Sequence, residues 1–158
     1  MKLAAVASLL VLAAQPVWSA CAEDKLTVIG DFGQVTFSIA LADDPQERSQ
    51  GLMFVEEMPT LAGMLFIYER PQSVSFWMKN TLIQLDMIFA SADGEIQRIH
   101  ENAIPGDLTP IAGGEDIQMV FEINGGLSSR LGIVAGDVMQ HPSFGEDAIL
   151  PCSKKTDS

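Results

Sequence analysis

Two short segments in the middle of the chain carry side chains that could bind a polar ligand. Residues 75–79 and 83–90 both have strand-like alternation, and Thr81-Leu82 fits the two-residue turn of a hairpin. In that register one face holds the apolar Phe76, Met78, Leu85, Met87 and Phe89, and the other holds Trp77, Lys79, Gln84 and Asp86. An indole beside an amine, an amide and a carboxylate suits a polar ligand, especially a sugar. The alternative is structural, with the indole packed under a loop and the carboxylate paired with a cation.

Arg48 could join this face from a separate helix. Its guanidinium can bind a ligand carboxylate through two parallel hydrogen bonds. It could equally form a buried ion pair with Asp86 that ties the helix to the hairpin. Both alternatives remain open at this point, and we take Arg48, Trp77, Lys79 and Asp86 as the candidate ligand-binding residues.

Carboxylates elsewhere offer a catalytic alternative. Two acids about 5–9 Å apart suffice for glycoside hydrolysis, and the long loop predicted over residues 101–115 and its end carry Glu101, Asp107, Glu115 and Asp116. Solvated loop charges are the simpler account of these residues. The sequence has no G-x-S-x-G nucleophile motif, and Cys152 has no histidine near it in sequence.

The composition argues against several other classes of function. The formal net charge of −12 repels phosphate backbones, and no basic run exists, so we expect no nucleic-acid partner. His100 and His141 are the only histidines and lack the close spacing of metal ligands. The methionines are scattered singly among apolar residues, which is typical of core filling. We therefore predict no metal and no cofactor.

The elements that would position these residues are short strands and turns. Residues 25–29 and 34–41 are predicted strands around the turn 30–33, and further strands are expected at 63–68, 95–100, 117–123 and 138–141. Asp44 is a helix N-cap with Pro45 at the first helical position and Glu47 completing a capping box, for a helix reaching about Met53. A second short helix is expected at 124–130. The pattern predicts a mainly-β domain, an antiparallel jelly-roll-like sandwich or barrel with one or two short helices.

Several motifs of the chain resemble one known family. They are Arg48 with Gly51-Leu52-Met53, the segments 63–66 and 76–81, Leu85-Asp86, and 122–126 followed by 136–138. Together they are similar to the prokaryotic "domain of unknown function 192" proteins over about residues 25–141, with the run FWMKNT as the specific part. Gln84 departs from the proline common there. The resemblance implies a small mainly-β fold of jelly-roll type, often behind a signal peptide, and no established enzymatic activity.

The N-terminus has the features of a bacterial export signal. Lys2 precedes an uncharged stretch over residues 3–14, which is too short to span a bilayer, and small residues follow. Cleavage at Ala20-Cys21-Ala22 would start the mature chain at Glu23 and discard Cys21. A lipoprotein signal would instead retain and lipidate Cys21, and a retained Cys21 could also pair with Cys152.

These observations predict three parts: a signal peptide at 1–22, one mainly-β domain at 23–148 and a polar tail at 149–158. The expected protein is exported, periplasmic or secreted, with no transmembrane helix in the mature chain. The function that we predict is non-catalytic binding of a small polar ligand or glycan, or an accessory role in the envelope. The alternative is a hydrolase that acts on envelope carbohydrate through the loop carboxylates.

Overall fold

The computed structural model describes residues 21–152, so residues 1–20 of the predicted signal peptide (1–22) and residues 153–158 of the predicted tail (149–158) lie outside the described part of the chain. The elements follow in the order β1 (Lys25–Gly30), β2 (Gly33–Ala42), α1 (Pro45–Gln50), β3 (Ala62–Phe76), β4 (Leu85–Ala90), β5 (Ile96–Ala103), β6 (Ile111–Asn124), α2 (Leu127–Leu131) and β7 (Val138–Gln140). A 3-10 turn covers Pro142–Phe144. The prediction of a mainly-β domain with two short helices is confirmed.

All seven strands belong to one curled sheet with the order β5-β4-β6-β3-β2-β1-β7. Neighbouring strands are antiparallel except for β2 and β3, which run parallel. The curl brings the two outer strands together, because a bridge joins Glu95 to Val138 and the N–H of Ile96 donates to the carbonyl of Asp137 at 2.8 Å. The strand order establishes a curled half-barrel and not specifically a jelly roll.

The hairpin predicted from residues 75–79 and 83–90 is wrong. β3 and β4 do not pair with each other, because β6 lies between them and pairs with both. Residues 77–84 form an irregular connection, so Trp77 does not oppose Asp86. The apolar stripe is nevertheless real: Met78, Leu85, Met87 and Phe89 are buried in one cluster against which Phe76 packs.

The first helix forms where its capping residues predict it. The Asp44 side chain accepts hydrogen bonds from the N–H groups of Gln46 and Glu47 at 2.7 and 2.8 Å. Gly51 has a positive φ of 49° and caps the helix, which therefore ends at Gln50, three residues before the predicted end at Met53. This early end leaves residues 51–61 as an extended loop at one end of the sheet.

β3 and β6 form the centre of the sheet and separate two hydrophobic clusters. Alternation directs Leu65 and Phe121 into the first cluster, and Phe66 and Val120 into the second. Gly63 lets the two strands approach, since a Cβ there would lie 2.4 Å from the carbonyl oxygen of Glu122. Strand β3 continues past Pro71, where the register with β6 shifts, so the predicted stop after Tyr68 is wrong.

A disulfide between Cys21 and Cys152 joins the two ends of the described chain. Nearby, the ring of His141 contacts the carbonyl of Glu23 at 3.0 Å and accepts from the N–H of Ser143. The disulfide and the contact between His141 and Glu23 fasten the N-terminal segment to the C-terminal one. Within residues 21–152, no helix has the length and apolar character needed to cross a membrane.

Candidate functional site

A cleft of about 150 Å³ opens between the end of α1, strand β3 and the connection that follows β3. This volume is close to that of an engineered cavity that accepts benzene, so it suits a group the size of a six-membered ring. The lining combines aromatic, cationic and acidic side chains, chiefly Arg48, Tyr68, Phe76, Trp77, Lys79 and Glu122. Three of the four residues predicted from sequence, Arg48, Trp77 and Lys79, therefore meet at one cavity.

Glu122 supplies the buried acid of this cleft. It lies on β6, where the strand alternation turns it toward the second hydrophobic cluster, and only 4% of its surface is exposed. Within residues 21–152 no group donates a hydrogen bond to its carboxyl, and burial raises its pKa from 4.5 to about 8. At neutral pH the group is therefore a neutral acid that has one proton to donate into the cleft.

Arg48 is held firmly on the wall of the cleft. One terminal nitrogen donates to the carbonyls of Asp43 and Ile67 at 2.7 and 2.6 Å, and the other donates to Glu69 at 2.9 Å. Its guanidinium also lies 5.1 Å from the centroid of the Tyr68 ring. The predicted pair with Asp86 is not formed. Arg48 ties α1 to β3, and its Nε and one remaining terminal N–H have no partner among the described residues.

Trp77 and Lys79 form the mouth of the cleft. The indole is 47% exposed, and the Lys79 ammonium lies 5.1 Å from the centroid of its ring. No carboxylate in the described part of the chain lies within ion-pair distance of Lys79. The mouth therefore offers an uncompensated cation beside an accessible aromatic face.

The pKa of the Tyr68 hydroxyl responds to the charged groups around it. Burial raises the pKa of its hydroxyl, Arg48 opposes that shift, and Glu122 adds to it. The pKa of Glu69 is lowered by the Glu69 backbone N–H and by the hydrogen bond from Arg48. Glu69 is exposed and offsets the charge of Arg48, so Lys79 is the remaining free positive charge at the cleft.

Asp86, the fourth predicted residue, does not line the cleft. Its side chain is fully buried, and one oxygen accepts from the N–H groups of Asn102 and Gly126, both at 2.8 Å. The other oxygen accepts from the N–H and the hydroxyl of Ser128 at 2.9 and 2.6 Å. These four bonds favour the structural alternative for Asp86, because they join β4 to the end of β5 and the start of α2.

The four carboxylates predicted on a long loop do not line the cleft. Only Asp107 lies on a loop, because Glu101 belongs to β5 and Glu115 and Asp116 belong to β6, so the loop predicted over residues 101–115 is shorter than expected. Glu101 and Asp107 border one shallow groove, and Glu115 and Asp116 border another. All four are exposed, and the Thr109 backbone N–H lowers the pKa of Asp107, the opposite of what a general acid needs. No group of three or more potential ligands among residues 21–152 is arranged to hold a metal ion.

Sequence reasoning missed Glu122 and Tyr68. Glu122 is the one charged residue in the strand segment 117–123, whose neighbours are otherwise apolar except Gln118. A carboxyl in a strand buried on both faces is a signal for a functional acid. Tyr68 carries no comparable signal, because an aromatic at the end of an apolar strand is ordinary core packing.

The chain is also similar to known proteins. A family model of the "domain of unknown function 192", described as "Uncharacterized ACR", matches residues 27–141. The chain belongs to this family. No curated protein matches it.

Two crystal structures of other proteins are similar to the chain in sequence and fold. One, titled "a putative transcription regulator", is from Sinorhizobium meliloti; it is 38% identical, has a TM-score of 0.72, and the match covers 77% of this chain and 95% of that one. The other, a protein of unknown function from Novosphingobium aromaticivorans, is 40% identical with a TM-score of 0.72, and the match covers 80% and 90% respectively. These likenesses support the fold and family, and leave the activity open.

Proposed function

We propose that this protein is an exported, non-catalytic domain that binds a small polar ligand in the cleft formed by Arg48, Trp77, Lys79 and Glu122. The observation that carries the proposal is the Glu122 carboxyl, which is buried, has no hydrogen-bond partner within residues 21–152 and borders the cavity. No side-chain oxygen within residues 21–152 is both sealed from solvent and without a hydrogen-bond partner, so the Glu122 carboxyl oxygens open onto the cleft. A ligand acceptor in the cleft can accept a hydrogen bond from the protonated carboxyl, which no protein group within residues 21–152 does.

The cleft chemistry favours binding over hydrolysis. Cleavage of a glycoside by the usual mechanism needs two carboxyl groups on either side of the scissile bond. Glu122 is the one acid that lines the cleft in the described part of the chain. The other candidate acids line two shallow grooves in pairs, Glu101 with Asp107 and Glu115 with Asp116. All four are exposed to solvent, so neither groove buries one of them as the cleft buries Glu122.

The disulfide supports the exported location. Disulfides persist in oxidising compartments and are rare in the bacterial cytosol. The Cys21–Cys152 bond and the N-terminal sequence features each favour a periplasmic or secreted protein, although a signal peptide that ends at Ala22, as the sequence predicted, would discard Cys21. The bond also requires that any processing cut fall before Cys21 and that Cys21 carry no lipid. A role in transcription, as the name of the Sinorhizobium protein states for that protein, is disfavoured here because a net charge of −12 repels DNA.

The test is a calorimetric titration with a panel of monosaccharides, amino acids and short carboxylic acids at pH 6. We expect at least one class to bind, with about tenfold weaker affinity in Glu122→Gln, because the amide offers different donors and acceptors from the neutral acid. Glu115→Gln is the matched control, since it removes an exposed acid outside the cleft. Binding that is unchanged in Glu122→Gln, or lost in Glu115→Gln, would contradict the proposal.

A further inference from the structure

Large apolar side chains are concentrated on three adjoining loops. Two of them, residues 51–61 and 77–84, line the cleft, and the third, residues 104–110, borders the neighbouring groove of Asp107. Of the eight exposed large hydrophobic residues within 21–152, five lie here: Phe54, Trp77, Leu82, Ile104 and Leu108. We call these five the apolar rim. Their exposed fractions run from 47% for Trp77 to 66% for Phe54. Scattered exposed apolar residues need no explanation, whereas a group of five on adjoining loops indicates a contact surface.

Backbone hydrogen bonds join the three loops into one surface. The N–H of Phe54 donates to the carbonyl of Asn80 at 2.9 Å, and the N–H of Met78 donates to the carbonyl of Asp107 at 2.9 Å. The N–H of Gly106 completes the connection by donating to the carbonyl of Met78 at 3.0 Å. These bonds hold the three loops that carry the rim next to one another.

The rim is continuous with the cleft. Trp77 belongs to both, and two further cleft residues, Met53 and Thr81, are the chain neighbours of Phe54 and Leu82. A group that fills the cleft and extends out of its mouth will meet the rim. The cavity of about 150 Å³ itself holds only a compact group, so a larger ligand has to leave it in this way.

Phe54 gives independent support for a functional rim. Its φ of 65° lies in the left-handed region, which bulky residues seldom adopt. The side chain is two-thirds exposed, so packing does not offset the strain of this conformation. Strained residues of this kind concentrate at ligand-binding sites.

We propose that the ligand is amphiphilic, with a compact polar head in the cleft and an apolar chain that lies along the rim. This inference rests on the proposed function of the cleft. The free ammonium of Lys79 suits a head that is neutral or carries one negative charge. A bilayer surface is a poorer occupant, because a net charge of −12 repels the anionic lipids of bacterial membranes.

The experiment uses matched probes that share a head and differ in their chain. Methyl and octyl β-glucoside form one pair, and acetate and octanoate form another, all kept below micelle-forming concentrations. Trp18, the other tryptophan of the sequence, lies in the predicted signal peptide, so the fluorescence of Trp77 in the processed protein reports directly on the mouth of the cleft. We expect the octyl member of at least one pair to bind about tenfold or more tightly than its short partner, since each buried methylene adds to affinity.

Two variants test whether the higher affinity of the octyl probes comes from the rim or from the cleft. Phe54→Asn keeps a residue that tolerates positive φ while it removes the aromatic ring, and combined with Leu82→Ser it should reduce the octyl advantage to about threefold or less. Glu122→Gln should weaken the short and long members by the same factor. Val134→Ser, at an exposed apolar residue outside the rim, is the control and should leave both affinities unchanged.

Each remaining outcome has one meaning. Equal binding of short and octyl probes overturns the amphiphile and leaves the proposed function standing. The amphiphile is also overturned if both octyl probes bind with the same affinity and Glu122→Gln does not weaken either one. Binding to phosphatidylcholine vesicles that Glu122→Gln leaves unchanged would overturn it as well. If no probe of either length or head binds, and the wider panel at the cleft also fails, the proposed function falls together with this inference.

Discussion

Asp86 and Glu122 are two buried acids on neighbouring strands, and they have opposite surroundings. They lie one register step apart, since β4 pairs Asp86 with Ile123 and Met87 with Glu122. Successive residues of a strand point to opposite faces, so the two carboxyls face away from each other across the sheet. Asp86 accepts four hydrogen bonds, whereas the carboxyl of Glu122 receives none from the described residues.

The contrast separates a structural acid from a candidate binding acid. The donors around Asp86 come from backbone and a short side chain that the fold itself places, so the carboxyl holds three chain segments together. Around Glu122 the fold provides burial and an opening, and leaves the polar partner to be supplied from outside. Burial alone therefore does not indicate function; a buried polar group that lacks a partner and borders a cavity does.

The largest expected effect is at Asp86. In Asp86→Asn an amide N–H₂ replaces one acceptor oxygen and faces backbone donors, so we expect the free energy of unfolding to fall by about 3 to 5 kcal/mol. Urea denaturation measures the change. A loss below about 1 kcal/mol would mean that the four bonds contribute little and that the structural account of Asp86 is wrong.

The disulfide provides a reference that involves neither acid. Cys152→Ser opens a loop that spans 131 residues and should lower the free energy of unfolding by about 2 to 4 kcal/mol. The loss should be the same at pH 5 and pH 8. Intact mass of the exported protein, with and without reductant and alkylation, should also show both cysteines retained and oxidised; a mature chain that starts at Glu23 would contradict the bond.

The effect of Glu122→Gln on the free energy of unfolding should depend on pH, whereas that of Cys152→Ser should not. The unfolded chain releases the Glu122 proton near pH 4.5, while the folded protein keeps it up to about pH 8. Unfolding between these values therefore releases a proton, and this group lowers stability progressively as the pH rises. Glu122→Gln should match the parent below pH 4.5 and be about 3 to 5 kcal/mol more stable than it above pH 8, at about 1.4 kcal/mol for each pH unit between the two pKa values. A constant difference across this range would show that the Glu122 pKa is not raised.

The smallest effect on stability is expected at the mouth of the cleft. Trp77→Ala removes a half-exposed ring and its contact with Lys79, so the free energy of unfolding should change by about 1 kcal/mol or less. Ligand affinity should fall by about tenfold or more. A stability loss as large as that of Asp86→Asn would indicate that Trp77 fixes the fold, as the structural alternative for this residue holds.

Much of the local structure follows from sequence alone. The cap of Asp44, the β1–β2 pairing around residues 30–33 and the last strand at Val138–Gln140 were each indicated by residues within a few positions of one another. The apolar stripe of Met78, Leu85, Met87 and Phe89 was also correct, because the burial of these residues depends only on which face is covered. Family membership was evident from the motifs and is confirmed by the match over residues 27–141.

The errors lie where distant segments decide the outcome. A hairpin between residues 75–79 and 83–90 satisfied every local rule, yet β6, which follows more than twenty residues later, takes the place between β3 and β4. That insertion is what turns Asp86 away from Trp77 and gives it partners near residues 102 and 128. No spacing in the sequence indicates it.

By itself, the sequence determined the family, the mainly-β class and three residues of the cleft, because strand periodicity, caps and a specific motif are local properties. Only the tertiary structure decided that Arg48 pairs with Glu69, that Asp86 holds three chain segments together and that Glu122 is the unpartnered acid of the cleft. The reason is physical: whether a buried carboxyl is satisfied depends on donors brought within about 3 Å of it, and the residues that supply them are up to 42 positions away along the chain.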